Sequence, residues 1–163
     1  MHSARDFFRG ETMNHLLYLA LITPLLFSSP AATMAQTKCP PTASDAEGPF
    51  YKAHAPIRKN TGRGLTISGT VRSAGSCTPI PGARLEWWLA NAQGSYDDEY
   101  RGALVTAEDG GYRLETDFPP AYVGRPPHVH VKVLAPGHGT LTTQIYPEKG
   151  AKTVALDLVL LAD

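Results

Sequence analysis

The sequence predicts an all-β fold: a β-sandwich of about seven short, mostly antiparallel strands with an N-terminal arm. Three observations predict it. Apolar and polar residues alternate at period two along several short runs. The chain holds 15 Gly and 14 Pro, and many of these fall between the runs, cutting the chain into short pieces. No stretch after residue 35 carries helical periodicity. The 163 residues suit a single domain. Lys plus Arg equals Asp plus Glu at 15 each, so no broad basic field exists to hold nucleic acid. Hydrophobic residues at 42% against 18% charged argue against disorder. Two cysteines are too few for a disulfide-built miniprotein or a four-cysteine zinc site.

From the N-terminus, Leu16 to Phe27 is an apolar run too short to span a bilayer. Thr33-Met34-Ala35 follows, with small residues three and one before a cut after Ala35. That order reads as a secretory signal peptide over 1–35, starting at Met1 or Met13, with a mature, exported domain over 36–163 free of the membrane. Pro24 and Pro30 argue against a buried core helix there. In an oxidising compartment Cys39 can pair with Cys77 and pin the mature N-terminus to the first hairpin; two free thiols are the alternative.

Residues 39–64 are polar and turn-rich and read as an arm lying over the domain. Leu65, Ile67 and Val71 then alternate with polar residues, and Gly69 marks a bulge or a close approach. Arg84 to Ala90, Ala103 to Thr106 and Tyr112 to Thr116 are the next strands, the last two joined by the turn Glu108-Asp109-Gly110-Gly111. HVHVKVL (128–134), TLTTQIY (140–146) and TVALDLVLL (153–161) complete the set. His138 reads as a surface turn residue, and Lys132 as reaching solvent. Of the adjacent Trp87 and Trp88, only one can face the core.

Side chains alternate across a strand, so Val129, Val131 and Val133 supply the core face of HVHVKVL. His128 and His130 stand side by side on the opposite face, a two-point metal grip. On that pair alone, two solvent-facing histidines is the simpler reading. Three neighbours shift the balance. Pro126-Pro127 stiffens the approach. Arg125 places a fixed cation beside it. Tyr122 lies in the Pro- and Gly-rich loop PPAYVGR, where a core tyrosine would be unusual. A phenolate is a hard ligand suited to an ion such as Fe(III), which strips its proton despite a free pKa near ~10.

Glu47 to Tyr146 resembles the intradiol ring-cleavage dioxygenases, the non-haem ferric catechol and protocatechuate enzymes. The resemblance runs through EGPFY (47–51), LTISGTV (65–71), PIPGARLEWWLANAQGSY (79–96), RGALVTAEDGGYRLET (101–116), PPAYVGRPPHVHVKVLAPGH (119–138) and LTTQIY (141–146). It implies a non-haem Fe(III) cofactor held by Tyr96, Tyr122, His128 and His130. Tyr122 would be the displaceable ligand that takes a substrate proton. Arg125 would stabilise negative charge, with Gly48, Pro49 and Gln144 near the substrate. The implied partners are a catecholic diol and O2, the ring opening between the hydroxyl carbons to a muconate-type diacid. Trp87 and Pro147 stand where the family commonly has a smaller apolar residue and an aromatic one, which bears on pocket shape. A non-catalytic transthyretin-like binding module explains the strands and turns equally well, but gives no reason for the Tyr, Tyr, Arg-x-x-His-x-His set. A zinc hydrolase lacks a carboxylate beside the histidines in the strand. Which diol is cleaved, and whether the chain forms a homo-oligomer, are open at this level.

Overall fold

The alternating runs become strands in the computed structural model, which describes residues 39–121 and 124–163. The proposed signal peptide and Tyr122 lie outside the described residues. Eight strands occur: β1 (Leu65–Ser73), β2 (Arg84–Trp88), β3 (Arg101–Val105), β4 (Gly111–Thr116), β5 (Val129–Ala135), β6 (His138–Ile145), β7 (Thr153–Ala155) and β8 (Leu158–Leu160). One sheet runs β3-β2-β5-β6, all antiparallel. In the other, β1 lies between antiparallel β4 and two parallel partners, β7 and β8. A 3₁₀ turn at Asp98–Tyr100 is the only helical element among the described residues.

The core lies between the sheets. Leu65, Ile67, Val71, Leu85, Trp87, Leu114, Val129, Val131, Val133 and Leu158 are all buried there, the positions that period two assigns to one face of each strand. Trp87 is the core member of its pair. Its indole fills the space that a side chain on Gly102 would need, and its Nε1 donates to Thr61 Oγ1 at 3.1 Å.

One expected strand, 153–161, is two. Leu156 interrupts it, because its carbonyl packs against Gly69 where any Cβ would collide. The glycine therefore marks a close approach. Asp157, on the surface, then accepts from Thr70 N at 2.8 Å and Arg72 Nε at 2.8 Å, standing in for the missing ladder bonds. His138 also departs from expectation. It opens β6, and its Nε2 meets Ser73 Oγ at 3.1 Å.

The arm crosses the outer face of the β2-β5-β6 region. Asp45 N donates to Thr142 O, Thr143 Oγ1 to Ala43 O, and Gln144 Nε2 to Ala46 O. Cys39 is joined to Cys77, with Cα atoms 5.3 Å apart. No helix among the described residues is long and apolar enough to cross a membrane.

Candidate active site

The sheet register fixes one transverse row. Arg101 pairs with Trp88, Trp88 with His130, and His130 with Gln144. Paired residues share a face, so all four side chains project to the side away from the valines. The arm covers that face. His128 and His130 are therefore only 3% and 2% exposed, not solvent-facing. The Trp88 ring stacks on His130, centroids 4.9 Å apart and planes within 6°.

Tyr96 comes from the loop after β2. Asn91 shapes that loop: its Oδ1 accepts from Gln93 N and Ser95 N, each at 2.9 Å. The phenol then reaches the histidines. Tyr96 Oη lies 3.3 Å from His128 Nε2 and 3.3 Å from His130 Nε2. His128 Nδ1 is 2.8 Å from Pro126 O. A carbonyl only accepts, so Nδ1 carries the hydrogen and Nε2 presents its lone pair toward Tyr96. Burial is the main cause that pushes His130 down to about 4, with the nearby Arg125 cation adding to it, so its ring is neutral at pH 7.

A cavity of about 280 Å³ opens onto these atoms. Gly48, Pro49 and Phe50 of the arm, Tyr96, Arg125 and the two histidines line it. Gly48 has φ +72°, and a Cβ there would stand 3.3 Å from His130 Cε1. Phe50 stacks on Tyr96 at 4.3 Å and 11°. A larger open groove of about 730 Å³ along β3 and β4 carries none of these residues.

Arg125 is braced from behind. Its Nη2 donates to Gln144 Oε1 at 2.7 Å and to Tyr146 Oη at 3.1 Å. Tyr146 in turn donates to Asp45 Oδ2 at 2.8 Å. That hydrogen bond, with one from Ala46 N, holds the Asp45 carboxyl below its ordinary range. Gln144 thus supports Arg125 and is not among the residues lining the cavity. Lys132 does not simply reach solvent. It pairs with Glu47 at 2.6 Å and sits 4.0 Å over the Tyr51 ring. Tyr51 donates to buried Glu86 at 2.8 Å, and burial pushes its pKa up to about 12, Glu86 adding to the shift.

The structure thus brings Tyr96, His128, His130, Arg125, Gly48 and Pro49 to one cavity. Sequence reasoning overlooked Asp45, Tyr146, Phe50 and Arg101. Tyr146 was the accessible one, since it lies two residues beyond Gln144 and shares its face. Nothing in the string RGALV marks Arg101 as buried.

A family model described as "Dioxygenase" matches residues 42–162. A chlorocatechol 1,2-dioxygenase of Cupriavidus pinatubonensis is 31% identical over 165 residues, covering 80% of this chain. This chain spans 64% of that relative's length. Among solved structures, the dioxygenase domain of a dioxygenase–carbohydrate-binding protein fusion from Streptomyces sp. SirexAA-E is 32% identical with TM-score 0.68, covering 76% of this chain and all of that one. Chlorocatechol 1,2-dioxygenase from Pseudomonas putida is 27% identical with TM-score 0.61, covering 70% of each chain. The chain belongs to the intradiol dioxygenase family.

Proposed function

We propose that this chain is an exported, iron-dependent intradiol dioxygenase that opens the ring of a catechol-type diol between its hydroxyl carbons. Both atoms of O2 enter the muconate-type product. The observation that carries this reading is one phenol oxygen 3.3 Å from two buried imidazole nitrogens, one of them with its tautomer set.

The donor chemistry fits a hard trivalent ion. Among the described residues no three His, Cys, Asp or Glu side chains gather to hold a metal, so the two imidazoles need oxygen from another source, which Tyr96 offers. The resemblance adds Tyr122 as a fourth donor. Fe(III) bound by these groups supplies Lewis acidity and a template for substrate and O2. The chain does the rest. Arg125, held by Gln144 and Tyr146, presents a fixed cation to the diolate. Pro49 and Phe50 give the aromatic ring an apolar wall. By the resemblance, Tyr122 would serve as the displaceable phenolate, taking up a proton from a substrate hydroxyl and leaving as the neutral phenol. Export is supported by the apolar N-terminal run and by the cysteine pair, which suits an oxidising compartment.

Iron-loaded protein is expected to show a visible tyrosinate-to-Fe(III) absorption band and to consume O2 with a panel of diols. Tyr96→Phe should weaken or lose the band. An iron-replete protein that is colourless would leave a non-catalytic sandwich as the better reading.

A further inference from the structure

Arg101 is a guanidinium 4% exposed, outside the donor set and outside the cavity lining. Each of its nitrogens has a partner. Nη1 donates to Phe50 O at 2.5 Å, Nη2 to Tyr96 O at 3.0 Å, and Nε to Asp98 Oδ1 at 3.2 Å. The two carbonyls belong to segments far apart in sequence: Phe50 to the arm, Tyr96 to the loop after β2. Neither segment belongs to a sheet, yet their rings stack to form one side of the cavity. The ladder fixes where Arg101 starts from, because it pairs with Trp88, which stacks on His130. The planar fork of arginine suits two diverging carbonyls; a lysine keeps the charge without the fork.

We propose that Arg101 is a positioning residue for the site: it grips the backbone of Tyr96 and of Phe50 at once, fixing the phenol against the paired imidazoles and holding the Phe50 ring as its brace. This rests on the metal reading given above. Arg101 touches neither substrate nor reacting atoms. It acts through Tyr96, which sets the metal's electronic environment, and through Phe50, which sets the cavity wall.

The test compares wild type, Arg101→Lys, Phe50→Ala and the double variant, each first shown to be folded by circular dichroism. In iron-loaded Arg101→Lys the visible band should shift and broaden, and kcat/KM should fall about tenfold or more, since small misplacements cost that much. Phe50→Ala should raise KM more than it lowers kcat. The double variant should lose less than the sum of the two, because one interaction serves both. An iron-free readout runs in parallel: trypsin should cleave after Lys52, beside the gripped Phe50 carbonyl, faster in Arg101→Lys than in wild type. Folded Arg101→Lys with wild-type band, kcat, KM and cleavage rate overturns the proposal. Should Arg101→Lys not fold, Phe50→Ala with an unchanged band overturns the bracing. Wild-type protein without any band defeats the metal reading itself; the grip on the arm is then judged by cleavage, and an unchanged rate overturns that too.

Discussion

Gly48 shows how closely the arm approaches the donor atoms. Its φ of +72° suits glycine, and a methyl group there would press on the His130 ring. Gly48→Ala is expected to cost about 1 kcal/mol in stability from the backbone alone. It should also lower iron affinity several-fold, measured by competition against a chelator. His130→Ala should weaken iron binding far more by the same measurement, since it deletes a donor and leaves Trp88 without its stacking partner. At this scale the sequence was readable where geometry is local. Alternation alone puts His128 and His130 on the face opposite the valines. It could not show that the arm buries them. Nor could it show that Arg101 reaches the carbonyls of Phe50 and Tyr96, because those contacts are assembled from segments up to 51 positions apart.

The break between β7 and β8 is the clearest lesson at the scale of elements. TVALDLVLL reads as one continuous strand, and nothing local in it disagrees. The interruption is imposed from outside, by the Leu156 carbonyl lying on Gly69 and by Asp157 taking Thr70 N and Arg72. Gly69→Ala should therefore destabilise by about 3 kcal/mol or more, since backbone must move to admit the methyl; a urea melt measures it. Asp157 gives a pH-dependent companion. Its hydrogen bond from Arg72, with that from Thr70 N, holds its folded pKa below the ordinary value. Its contribution is therefore present above the unfolded carboxylate pKa of about 3.9 and fades as pH falls through the folded value. The Tm gap between wild type and Asp157→Asn should be steady near neutrality and close below about pH 4.

At the scale of the molecule, the sandwich was legible because period two and turn residues recur along the whole domain, so the fold class rests on many independent signals. The arm's path was not, since its polar residues carry no periodicity. It is tied down by the Cys39–Cys77 bond, whose partners lie 38 positions apart. Replacing both cysteines with serine should cost about 2–4 kcal/mol in thermal or denaturant unfolding. Because the same arm carries Gly48, Pro49 and Phe50, the variant should also raise KM for the diol.

That division of labour has a consequence for change over time. The imidazoles hang from or beside a hydrogen-bonded strand, whereas the part of the chamber that would meet the ring's substituents is a ribbon outside both ladders. Insertions or swaps in that ribbon can resize the chamber for bulkier or smaller aromatics while the sheets keep their pairing. A loop library confined to residue 49 and residues 51–54, leaving Gly48 and the braced Phe50 in place and stopping short of the Ala55 and Pro56 carbonyls that bond Arg84 and Ala103, is where altered diol preference should be sought first.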